Sequence, residues 1–85
     1  MEVFARFGAT ALFSRGGGVI TEIGIVAGEI WHHLDQHGEV LFSNLVSGIE
    51  QPRDLALMSV GWLAREGHVI VKVEGKDYRV WLRKN

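Results

Sequence analysis

The sequence contains no cysteine, and it holds one proline and one tyrosine in 85 residues. Without cysteine there is no disulfide, no thiolate zinc site and no cysteine nucleophile. A cytoplasmic chain is the expectation. No apolar run reaches the ~20 residues that a membrane helix needs, so no membrane contact is expected. The opening "MEVFARFGATALFS" is interrupted by Glu2 and Arg6 and makes a poor signal peptide. Excess charge of either sign is also missing, because the net charge is -1. Bulk attraction to nucleic acid is thereby disfavoured. The distribution is uneven: residues 1–51 carry two Lys/Arg against six Asp/Glu, and residues 52–85 carry seven against four. A surplus of three cations gives the second half only a weak claim on phosphate.

What is present is a small globular chain, 47% hydrophobic. A core of this size gains from self-association. The run Gly16, Gly17, Gly18 marks a boundary, since three glycines cost too much backbone entropy inside an element. Residues 1–18, with Phe4, Phe7 and Phe13, read as a tail or leader, and Val19 is a candidate alternative start. Residues 19–85 read as one domain.

Within it, Ile23, Val26, Ala27, Ile30 and Leu34 form one apolar stripe at helical spacing. The spacing predicts a helix over 22–37, capped by Thr21 and stopped by Gly38. "EVLFS" predicts a short strand, and Ser43 is positioned to cap a second helix over 44–49. Pro52 suits the first position of a third helix ending at Glu66, with Gly67 as its stop. "HVIVKV" and "YRVWL" have strand composition and flank the turn "EGKD". The order helix-strand-helix-helix-strand-strand predicts an α+β winged helix-turn-helix domain, three helices with a small antiparallel sheet.

Against that outline, "AGEIWHHLDQHGEV", "LALMSVGWLAREGHV" and "VEGKDYRVWL" resemble a small bacterial and archaeal winged helix-turn-helix family catalogued as a domain of unknown function. The likeness spans residues 21–82, and "GWLAREG" is its most specific piece. It implies the fold and suggests dimers. It implies no established activity and no catalytic residues.

The third helix is where a DNA reader would place its base contacts. At about 100° per residue, Ala56, Val60 and Leu63 share the buried face. Asp54, Met58, Gly61 and Arg65 face away, flanked by Leu57 on one side and by Leu55 and Trp62 on the other. Base edges are read mainly by Arg, Lys, Asn and Gln, and residues 52–66 contain no Lys, Asn or Gln. Three readings compete for Trp62: a subunit or partner interface, packing within its own chain, and nucleic-acid contact. Gly61 costs about 1 kcal/mol relative to Ala inside a helix, and a close crossing is one reason to keep it.

In the hairpin, Val73 is expected opposite Tyr78, Val71 opposite Val80 and Val69 opposite Leu82, forming an inner face. Lys72 opposite Arg79 and Ile70 opposite Trp81 form the outer one. Glu74 and Asp77 can neutralise the two cations. Leu57, Met58, Trp62, Ile70 and Trp81 are the candidate interface residues. Arg53, Arg65, Lys72, Lys76, Arg79, Arg83 and Lys84 are the candidate phosphate contacts.

Other motifs favour bland readings. His33 and His37 lie one helical turn apart and Glu29 one turn earlier, but a solvated helix face explains them better than a metal site. "RGGGVIT" lacks the Lys-Ser/Thr of a phosphate loop. Ser14, Ser43, Ser47 and Ser59 lack a nucleophile-elbow context. The expectation is a non-catalytic binding module with no cofactor, homodimeric through an apolar face, with another protein as a further possible partner. The alternative is a DNA-binding regulator using the basic C-terminal half.

Overall fold

The structure, a computed structural model, describes residues 19–84. The elements run α1 (Val19–His37), β1 (Val40–Leu41), α2 (Phe42–Ile49), α3 (Arg53–Arg65), β2 (Val69–Glu74) and β3 (Asp77–Leu82). The three strands form an antiparallel sheet in the order β1-β3-β2. Three helices and this sheet make a winged helix-turn-helix. The glycine-rich run at residues 16–18 lies outside the described residues.

Helix α1 begins before the predicted cap. Thr21 lies inside its first turn, because nothing in "VIT" breaks a helix and the last glycine precedes Val19. The C-terminal stop is as expected: Gly38 sits at φ 76° and its N–H donates to the Leu34 carbonyl at 2.8 Å. The stripe delivers Val26, Ala27, Ile30 and Leu34 to the core, whereas Ile23 is only half-buried.

Strand β1 is shorter than "EVLFS", and α2 starts at Phe42 rather than Asn44. Phe42 is fully buried and is the largest side chain of the core. Burial of such a ring is worth about 1.5–3 kcal/mol. Packing therefore draws Phe42 into the helix, and Leu41 becomes the N-cap, with no side-chain cap bond. Ser43 is not the cap; it lies within the first turn.

Helix α2 ends on Glu50 in the left-handed region, φ 56°, its N–H donating to the Val46 carbonyl at 3.0 Å. Three residues later α3 begins, with Pro52 at the cap position instead of the first helical one. Helix α3 packs most extensively against α1. It closes with Gly67 at φ 84°, where His68 N–H donates to the Leu63 carbonyl and Gly67 N–H to the Ala64 carbonyl. That pair of bonds is a Schellman arrangement, and Gly67 is the expected stop.

The hairpin register is the expected one: Val69 opposite Leu82, Ile70 opposite Trp81, Val71 opposite Val80, Lys72 opposite Arg79 and Val73 opposite Tyr78. Glu74 and Asp77 also pair, so the turn is Gly75-Lys76 and not all of "EGKD". Gly75 has φ 62°, as the first residue of a type II′ turn requires. One inner-face assignment fails. Val73 is 69% exposed, because the hairpin tip extends past the helices that cover Val69 and Val80.

Candidate functional site

Helix α3 has two unlike faces. Ala56, Ser59, Val60 and Leu63 are buried. Ser59 is the one buried polar side chain among the described residues, and its hydroxyl donates to the Leu55 carbonyl at 2.8 Å. On the other side Asp54, Leu57, Met58, Gly61, Trp62 and Arg65 all face solvent. Leu57 is 41%, Met58 42% and Trp62 38% exposed. Leu55 departs from the expected flanking role: it is half-buried and packs against the core. Trp62 also approaches the His68 ring, with centroids 6.5 Å apart. A Cβ built on Gly61 would meet nothing within 4 Å. No crossing within the described residues explains that glycine.

The apolar residues of the wing divide. Ile70 is 38% exposed. Its partner Trp81 was expected on the same outward patch, yet it is half-buried in a cleft with Leu34, Gly38 and Glu39 at the end of α1. Less of the indole than of a fully exposed ring is therefore left to the outward patch.

The cations of the C-terminal half divide as well. Arg79 is held in ion pairs by Glu74 and, at 3.3 Å, by Glu39. Its Nε donates to Glu74 at 2.7 Å. These hydrogen bonds hold the Glu74 carboxyl below its usual range and raise the guanidinium above its own. Arg79 is therefore poorly placed as a phosphate contact. The Arg53 guanidinium lies 4.9 Å from the Phe42 ring centroid, a cation–π contact that ties the start of α3 to α2. Arg65, Lys72, Lys76, Arg83 and Lys84 are exposed, and none forms an ion pair among the described residues.

Asp77 does not neutralise the Lys72–Arg79 pair. Its carboxylate accepts from the Ser43 hydroxyl at 2.6 Å and from the Ser43 backbone N–H at 3.3 Å. The strand thus caps the helix from outside, with negative charge at the positive end of α2. The Ser43 hydroxyl, with the Tyr78 N–H, lowers the Asp77 pKa. This clasp and the Glu39–Arg79 pair join residues far apart in sequence. No local spacing signals them; only the placement of β3 between β1 and β2 brings them together.

On α1, the His33 and His37 rings lie 4.3 Å apart. Partial burial, then the neighbouring His37, lowers the His33 pKa. Glu29 accepts from Gln51 Nε2 at 3.0 Å, which bridges α1 to the helix-helix turn. Among the described residues no group of three or more His, Cys, Asp or Glu is placed to hold a metal. No helix there is long and apolar enough to cross a membrane.

The family described as winged helix-turn-helix domain (DUF2582) matches residues 20–83. The chain belongs to that family. No curated protein matches it. A solved structure of HOP2, from work on the DNA recognition and protein interaction domains of that protein and its homologous DNA pairing properties, superposes with a TM-score of 0.64. The identity is 17%, and the alignment covers 68% of this chain and 98% of the other. At that identity the similarity establishes the shared fold. This winged helix thus carries, on the outward side of α3, an apolar surface bracketed by Asp54 and Arg65.

Proposed function

We propose that this DUF2582 domain is a non-catalytic binding module whose main contact surface is protein-facing, and that it acts as a homodimer. The observation that carries the reading is the outward side of α3, where Leu57, Met58 and Trp62 are each about two-fifths exposed. Those side chains have little to offer base edges, and Arg65 is the one cation on that side of α3 beyond Arg53 at its start. Apolar surface of this kind, with an aromatic residue at its edge, is what protein interfaces bury.

DNA contact through the wing is the second reading. It is favoured by Lys72, Lys76, Arg83 and Lys84, which stand exposed without ion pairs among the described residues. Fluorescence anisotropy with duplex DNA across a salt series separates the two. The protein-interaction reading predicts weak binding even at low salt. Tight low-salt binding that collapses as salt rises, and that Lys72→Ala with Lys76→Ala abolishes, would make DNA the principal ligand.

A further inference from the structure

The exposed residues of α3 have an internal symmetry. Asp54, Met58, Gly61 and Arg65 are spaced four, three and four apart, the repeat of a coiled-coil seam. The order of side-chain characters along this seam is acid, large apolar, absent side chain, base. Read in the opposite direction, each member meets its complement: acid faces base, and methionine faces the glycine. Leu57 and Trp62 flank the seam on its two sides.

We infer that two copies of this chain pair through α3, antiparallel about a two-fold axis that crosses the seam midway between Met58 and Gly61. This rests on the protein-facing reading above and names its partner and register. In that arrangement Asp54 of one copy lies across from Arg65 of the other, twice. Met58 of each copy enters the space above Gly61 of the other, where a Cβ would meet nothing within 4 Å. Three observations that are separate within one chain are then accounted for together. The glycine costs about 1 kcal/mol of helix propensity and has no close neighbour within the described residues that requires it; in the pair it admits the partner's methionine. Neither Asp54 nor Arg65 has an ion-pair partner among the described residues, and in the pair each gains one. Leu57 and Trp62 wall the seam against water. Antiparallel pairing also sets residues of the two seam positions side by side in each layer, as this register does. A seam between helices of 13 residues is at the small end of stable interfaces, so association falls in the micromolar range. While paired, this face of α3 is closed to a DNA groove.

The test is charge reversal on the full chain, read by sedimentation velocity over a dilution series. Both sites are exposed, so the variants retain the fold. Asp54→Arg alone, or Arg65→Asp alone, places two like-charge contacts in each homodimer and weakens it about tenfold. Mixing the two single variants restores wild-type affinity in the mixed dimer, and the double variant restores it in the homodimer. Because the chain has no cysteine, a second measurement is direct. Met58→Cys mixed with Gly61→Cys should give a disulfide-linked mixed dimer in greater yield than either variant alone. A dimer indifferent to reversal, or one that mixing does not rescue, overturns the register and leaves a protein-facing surface standing. A wild-type chain that stays single through millimolar concentration overturns the pairing and the homodimer together, and leaves the face to residues 1–18 or to a different partner.

Discussion

The outward face of α3 and the wing use their side chains in opposite ways. In the wing and at the start of α2, much of the charge is consumed internally: Arg79 by Glu74 and Glu39, Asp77 by Ser43. Those contacts fasten the sheet to the helices. On α3, the outward charges Asp54 and Arg65 form no ion pair among the described residues, and apolar side chains lie between them in solvent. Arg79, which a DNA-binding reading would require to be free, is engaged in structure, whereas Lys72, Lys76, Arg83 and Lys84 form no ion pair among the described residues. Apolar groups that a core would require are left outside. Residue type alone does not mark a contact surface; what matters is whether the fold has already used the residue.

Substitutions on the two sides of α3 break the comparison most strongly. Leu63 is fully buried, and Leu63→Ala should cost about 2–5 kcal/mol in denaturant unfolding. Met58→Ala, on the opposite side of the same helix, should change the stability of the dilute chain by less than about 0.5 kcal/mol. Equal losses would mean that Met58 is packed within its own chain.

The turn leading into α3 gives the next largest effect. Glu50 occupies the left-handed region, where glycine carries no Cβ penalty. Glu50→Gly should raise stability by about 1 kcal/mol. A loss instead would show that the Glu50 side chain contributes more than its backbone strain costs.

Gly61→Ala is expected to be somewhat smaller, a gain of about 0.5–1 kcal/mol for the dilute chain, because the added methyl meets open space. The same variant should not strengthen association. A gain in both would remove the reason for a glycine at the seam.

The smallest effect belongs to the wing clasp. Hydrogen bonds from Ser43 and from the Tyr78 N–H place the folded pKa of Asp77 below its unfolded value. Its stabilisation is therefore complete above the ordinary aspartate range and is lost as pH falls through the depressed one. Melting curves over an acid pH series should show wild type losing stability faster than Asp77→Asn. Parallel curves would detach the clasp from the stability of the wing.

The architecture was legible because its signals are local. Gly38 and Gly67 stop their helices as read, the α1 stripe from Val26 to Leu34 is the core stripe, and the hairpin register follows from the alternation of Val69, Val71 and Val80. Errors gathered where distant packing decides. The strand composition of "EVLFS" includes Phe42, yet Phe42 is helical because its ring fills the core. Ser43 has the residue type of a cap, but its hydroxyl donates to Asp77 across the fold. Val73 lost its expected cover because hairpin length, invisible in the alternation, carries it past the helices. The apolar character of α3 was readable at Leu57, Met58 and Trp62. The division of labour between Ile70 and Trp81 was not, since it depends on how the end of α1 meets β3.

The central claim is that the outward side of α3 is buried by a second copy of this chain in solution. Light scattering on the full chain, wild type against Met58→Glu, tests it most directly. The account predicts wild type at twice the 9.5 kDa chain mass, dissociating on dilution, with Met58→Glu folded and single throughout. Wild type at the single-chain mass at every concentration, or a dimer that Met58→Glu leaves intact, would contradict it.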